Sequence, residues 1–224
     1  MDRALFAVII FLLSPTYMYG QGKEMLIEQI AAKKIIRENF DKNGKLKGTQ
    51  IFLMGELKRK DNIYEVDVVT ELYDENMKQI RKYTTSYTCN PDEYDVLINV
   101  FPFTNPNKTE IKVNVTSNNF QRLYDLTEDG KLEDIHLKMS VESGVLNFLG
   151  SKSLVTIKSR QLEVENGEVK IISDAIIEAY ILGLKFKTID YSVEEHLSQS
   201  FTLKQQIFKN KDGSYFTMNY STTM

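Results

Sequence analysis

Apolar and polar residues alternate along most of this chain from Thr49 onward. In "IHLKMSV" Ile135, Leu137, Met139 and Val141 share one phase, and in "EIKVNV" so do Ile111, Val113 and Val115. Successive side chains of a strand point to opposite faces, so such a run is a strand with one buried and one wet face. The same period, less perfectly kept, runs through "TQIFLMGELK", "NIYEVDVVTELY", "KQIRKYTTSYTC", "EYDVLINVF", "SLVTIKSRQLEVE", "EVKIISDAIIEAYIL", "LKFKTIDYSVEEHL", "SFTLKQQIF" and "GSYFTMNYS", about eleven strands in all. Between them lie "DKNGK", "DENMK", "EDGK", "ENGE" and "KDGS". Asn and Gly accept the positive φ of tight hairpin turns, so these loops predict antiparallel neighbours.

In "LKFKTIDYSV" the apolar phase runs through Leu184 and Phe186 and then slips to Ile189, Tyr191 and Val193. The slip predicts a bulge near Lys187 and Thr188, of the kind that bends sheets toward barrels. Two segments stand apart from the strands. "GKEMLIEQIAAKKIIRENF" offers good helix formers and the apolar set Leu26, Ile27, Ile30 and Ala31, which predicts a helix of three to four turns ending near Asn39. "NNFQRLYDL" is a shorter candidate, and "FPFTNPNKT", with Pro102 and Pro106, reads as a loop. The fold expected is mainly β: a single curved antiparallel sheet, half-barrel or barrel-like, with an N-terminal helix.

The first twenty residues have a head with Arg3, an apolar run from Ala4 to Leu13 and a polar stretch containing Pro15. That pattern predicts a secretory signal peptide over residues 1–20, too short to span a bilayer, with cleavage near Gly20. One β-rich domain over residues 21–224 follows, since about 200 residues bury one good core. No cysteine follows the apolar run, so lipid attachment is not expected, and the location implied is the periplasm or the extracellular space. A net charge of −3 with interspersed signs gives no footprint for nucleic acid. The basic clusters "KLKG" and Lys58 to Lys60 read as solvated turns and strand ends.

Catalytic signatures are missing. A serine or cysteine nucleophile needs a nearby base and a strained turn, and the sequence holds no GxSxG and two histidines. His136 falls on the wet phase of its strand. Glu194, Glu195 and His196 are consecutive strand residues, which point to alternate faces and do not converge on a metal. In "DKNGK" glycine comes three residues after Asp41, too early for a calcium loop. No phosphate-cradling loop and no CxxC pair occur. The expectation is therefore no catalytic, cofactor-binding or metal residue, and no enzyme, although two facing carboxylates on different strands would suit glycoside hydrolysis. Three sequons, at Asn107, Asn114 and Asn219, matter only in a eukaryotic secretory pathway.

"NFDKNGKLKGT", "ELYDENMKQIRKYTTSYTCNPDEYDVLIN", "VNVTSNNFQRLYDLTEDGKLEDIHLKMSV" and "QSFTLKQQIFKNKDGSYFTMNY" follow one another here in an order that resembles the TapB-like family of small exported bacterial proteins. The resemblance covers about residues 35 to 220 and lies in turn and strand patterns. It implies a single all-β domain of unknown function in the periplasm or at the cell surface, and supplies no catalytic residue to carry over. It also implies a second cysteine in a later strand, and "ENGEVKIISDAII", the comparable stretch here, has none. Cys89 then looks like the survivor of a pair.

Cys89 shares the phase of Tyr83, Thr85 and Tyr87, the apolar set of its strand, which predicts a packed, inert thiol. Twelve Phe and twelve Tyr on long alternating strands suggest a concave apolar face that binds an apolar ligand, a lipid or an envelope partner. The same aromatics would equally fill an ordinary core. The competing readings are a structural or interaction module of a cell-envelope complex, at most peripheral to the membrane, and a hydrolase with a carboxylate pair.

Overall fold

The computed structural model describes residues 26–61, 63–89, 111–115, 131–141, 152–165 and 167–221. The leader, "EYDVLINVF", the "FPFTNPNKT" loop, "NNFQRLYDL", most of "EDGK" and the Asn107 sequon lie outside them. One short helix, α1 (Leu26–Ile30), precedes twelve strands: β1 (Lys34–Phe40), β2 (Leu46–Met54), β3 (Lys58–Lys60), β4 (Ile63–Asp74), β5 (Gln79–Cys89), β6 (Ile111–Val115), β7 (Ile135–Val141), β8 (Lys152–Glu165), β9 (Glu168–Ile181), β10 (Leu184–Leu197), β11 (Leu203–Asn210) and β12 (Tyr215–Ser221). All join one antiparallel sheet in the order β3-β4-β2-β1-β12-β11-β10-β9-β8-β7-β6, with β5 on the other side of β4. From β1 the chain steps outward to β5, and from β6 it steps inward to β12, which closes beside β1 at the centre. Among the described residues no pairing joins β5 to β6, so the sheet is open.

The alternation places its apolar phase on one face. Ile35, Met54, Val66, Ile171, Ala175 and Met218 are 0% exposed, and Phe208, Leu197 and Val155 are close to it. One flat layer of strands leaves both faces wet, and α1 is too short to cover the sheet. Among the described residues one core cluster joins β1, β2, β4 and β9 to β12, which a sheet curled over its inner face accounts for. Five register shifts, at Asn39/Phe40, Leu72/Tyr73, Lys158/Gln161, Lys185/Lys187 and His196/Leu197, supply the bends. The bulge expected near Lys187 is among them, displaced toward Phe186.

The N-terminal helix is shorter than its composition predicts. It stops at Ile30, Ala32 takes a φ of 54°, and the remaining "KIIRENF" is strand β1. Helix propensity there amounts to tenths of a kcal/mol per residue, and pairing with two strands overrides it. β1 bonds β2 on one side and β12 on the other, seating Ile35 between Phe52 and Tyr220.

Three hairpin loops share one construction. Asp41 Oδ1 accepts from the amides of Asn43 and Lys45, and Asp74 Oδ1 accepts from those of Asn76 and Lys78. In each, the first residue's amide bonds the carbonyl four residues on, as Asn210 does with Ser214. The fourth position has positive φ: Gly44 at 77°, Gly213 at 89° and, without glycine's freedom, Met77 at 60°.

Candidate functional site

Polar side chains interrupt the inner face at two levels. The upper one centres on Arg37, which shares the inward phase of Ile35 and lies opposite Met218 and Gln50. Its guanidinium sits 3.8 Å above the centroid of the Phe216 ring. Phe216 stacks on Phe208 at 4.5 Å, and Tyr191 meets both rings edge-on at 5.5 and 5.8 Å. The strand register makes this cluster, since Phe208 pairs with Phe216 on β12 and with Val193 on β10, two residues after Tyr191.

The polar contacts of Arg37 are few. Nε donates to Asn39 Oδ1 at 2.9 Å, and among the described residues no carboxylate compensates the charge. Burial pulls its pKa down to about 10, and the neighbouring Tyr191 phenol opposes this only weakly. Directly across the ladder, Gln50 Oε1 is buried without a hydrogen-bond partner. A half-buried guanidinium with no carboxylate partner among the described residues is suited to receive an anion.

The lower level is linked by internal hydrogen bonds, although Arg160 Nε is buried without a hydrogen-bond partner. The Tyr220 hydroxyl donates to Gln206 Oε1, and Gln206 Nε2 donates to Glu195 Oε1 at 2.7 Å. Burial raises the pKa of Glu195, against the opposing pull of Arg160 and of the Gln206 hydrogen bond. Burial also raises Tyr220 well above the usual phenol, helped by the Glu195 charge. Arg160, at the bulge after Ser159, donates from Nη1 to the Glu133 carbonyl at 3.1 Å. This chain of contacts ties β8, β10, β11 and β12 together.

The residues singled out in the sequence fall elsewhere. His136 is exposed, beside Thr156 Oγ1. Glu194 faces outward, held by Lys209 at 2.6 Å and Lys170 at 3.2 Å, with His196 Nε2 at 3.9 Å, while Glu195 points inward. Asp41 caps its own hairpin. Cys89 lies opposite Tyr64, in the register of the inner-face residues Val66 and Val68, and its side chain is outside the described residues. Asn219 Oδ1 accepts from Gln205 at 2.7 Å. Among the buried polar residues described, Glu195 is the one carboxylate, so no facing acid pair appears there.

Arg37 escaped the sequence reading because its segment looked helical. The signal was present in "KIIRENF", where Arg37 follows Ile35 in strand phase, and in "TQIFLM", where Gln50 precedes Phe52 and Met54.

No family model matches the chain, and no curated protein does. Among solved structures, a Bacteroides fragilis protein provisionally described as exported, with YmcC-like fold, aligns at 13% identity and a TM-score of 0.44, over 85% of this chain and 94% of its own. A protein of Parabacteroides distasonis, provisionally described as a lipoprotein, aligns at 12% identity and a TM-score of 0.46, over 86% and 94%. Neither carries the TapB-like description, which stays a resemblance.

Proposed function

We propose that this chain is an exported, non-enzymatic binding protein of the cell envelope, whose curved sheet holds an anionic ligand at Arg37. The observation that carries the reading is the pairing of a guanidinium that has no carboxylate partner among the described residues with an aromatic wall on the inner face. Proteins seldom bury a charge without a partner, because its desolvation is not recovered until one arrives. A carboxylate or phosphate would complete Arg37 with charge-assisted, bidentate hydrogen bonds, and Gln50 and Tyr191 lie close enough in the register to orient it. An anion of this kind comes either on a lipid or on a small soluble molecule.

Export is supported by the apolar run from Ala4 to Leu13 behind Arg3. The inner face of the central strands is filled by the chain's own side chains, which favours an anionic group at Arg37 over a long apolar ligand laid along the sheet. Calorimetric titration of the full chain with dodecanoate, dodecyl phosphate, acetate and inorganic phosphate tests the reading. Binding of the dodecyl anions alone assigns a lipid-borne ligand, and binding of the small anions with similar affinity assigns a soluble one. Arg37→Gln should weaken whichever binds by about tenfold or more, as expected for a charge-assisted pair worth ~1.5–3 kcal/mol. Unchanged affinity in that variant, or no binding of any of the four, refutes the reading.

A further inference from the structure

The β9–β10 hairpin is built differently from the rest of the sheet. β11 pairs with β10 from Leu197 to Tyr191 and stops there, so Leu184 to Asp190 run on past the end of β11, while β8 accompanies β9 as far as Tyr180. Residues 182 to 188 are all exposed. At the end of the hairpin stand Leu182, Leu184 and Phe186, which are 68%, 74% and 72% exposed. Three large apolar side chains in water at one tip mark a contact surface.

The turn itself adds a second observation. Leu182 and Gly183 hold φ values of 52° and 78°, the conformation that Asn-Gly or Gly-Gly normally supplies in a tight hairpin. A leucine there is strained, and its side chain gains nothing by burial. The loops at 41–45 and 210–214 use Asp, Asn and Gly at their tips, and the 74–78 loop exposes a single apolar side chain, Met77. The third observation is the order of residues down the hairpin. Lys185, paired with Tyr180, lies between Leu184 and Phe186, and Lys187 follows Phe186. The Lys185 ammonium and the Tyr180 hydroxyl both reach back to Glu178, which pairs with Thr188. Lys185 is tied to Glu178 at 2.8 Å, and Lys187 makes no ion pair among the described residues.

We infer that this hairpin is a membrane-docking tip that sinks Leu182, Leu184 and Phe186 into the surface of a lipid bilayer. At about 3.3 Å per residue the apolar part is ~7 Å deep, the depth at which interfacial elements lie between headgroups and acyl chains. The Tyr180 hydroxyl and the Lys185 ammonium, drawn back to Glu178, then fall with Lys187 at headgroup level, where an aromatic hydroxyl and positive charge are favoured. A strand of another protein added along Leu184 to Asp190 fits less well. The register shift between Lys185 and Lys187 breaks the ladder, and lysines on a free edge oppose such pairing. The inference stands on residues separate from Arg37, so either can fail alone.

The chain contains no tryptophan, so Phe186→Trp places a single reporter at the tip. Full-length protein carrying it is mixed with vesicles of equal parts phosphatidylethanolamine and phosphatidylglycerol. The expected result is a blue shift of the emission and quenching by bromine-labelled acyl chains, both lost when Leu184→Asp is added. Because Leu184 is exposed, the aspartate variant should keep its circular dichroism and melting temperature. An emission that stays in the water range overturns the inference, including the case in which the apolar leader tethers the chain to vesicles while the indole at the tip remains wet. So does a blue shift that survives Leu184→Asp, or one that appears without vesicles and grows with protein concentration, which would make the tip an interface between copies of the chain.

Discussion

Replacing Arg37 by methionine should leave the protein about as stable as before, or more stable. Methionine keeps the length and most of the packing of the arginine stem while removing the charge. Holding the guanidinium where its pKa falls to about 10 corresponds to a penalty on the order of 3 kcal/mol, at 1.36 kcal/mol per tenfold change in proton affinity. The group keeps some contact with water, so the true penalty is smaller. Against it stand the contact with the Phe216 ring, worth about 1–2 kcal/mol, and the hydrogen bond to Asn39, worth about 1 kcal/mol. The terms nearly cancel, and the expected change lies within ~1 kcal/mol of zero. Met218 sits directly opposite at 0% exposure, and Met218→Ala should cost ~2–5 kcal/mol through the cavity it leaves. Urea unfolding followed by circular dichroism compares the two variants in one experiment. If Arg37→Met loses as much as Met218→Ala, the guanidinium is a structural member of the core, and its availability to an anion is disproved.

Other expectations follow from local geometry. Met77→Gly should raise stability by ~1 kcal/mol, because Met77 holds a φ of 60° at the loop position that Gly44 and Gly213 occupy elsewhere; unchanged urea midpoints would mean the loop relaxes. Gly55→Ala should destabilise by ~1–3 kcal/mol, since a Cβ there would meet the Asp67 carbonyl oxygen at 2.9 Å, and a wild-type melting temperature would contradict this. Tyr220→Phe leaves Gln206 Oε1 buried without its donor and should cost ~1–3 kcal/mol in the same assay. The raised pKa of Glu195 means that the folded state holds this proton more tightly than the unfolded chain does. Its contribution is full below the ordinary glutamate range and is lost as pH rises through the folded value. Relative to wild type, Glu195→Gln should therefore gain stability from pH 4 toward pH 7, and a constant difference across that range would show that Glu195 stays ionised in the fold.

The alternation read from the sequence carried the architecture well, because a strand's period is written in its own residues. Ten of the expected runs are strands of the sheet, and the bulge in β10 lies within two residues of its expected place. β1 was missed because Ile35 and Ile36 serve a helix pattern as readily as a strand pattern. What decides between them is β12, which lies at the far end of the sequence. Arg37 was lost for the same reason, since a charged residue in a helix looks solvated while the same residue in inward strand phase is half-buried. The aromatic wall beneath it draws Tyr191, Phe208 and Phe216 from three strands, and its assembly depends on register that no single segment encodes. Leu182, Leu184 and Phe186 were legible as residues, but their exposure depends on where β11 stops.

The meeting of β1 and β12 has a consequence for how the molecule comes into being. The first strand of the sheet waits for the last, so its central seam cannot form until nearly the whole chain is present. Contacts between such distant segments make for slow folding. A chain emerging from a ribosome or a translocation pore would carry a β1 with one flank unpaired throughout, a condition that suits transport in an unfolded form. Lys34 and Ser221 finish side by side, so joining these two ends and opening the chain at an exposed hairpin such as 42–44 should turn the latest contact into a local one and speed folding without altering the sheet.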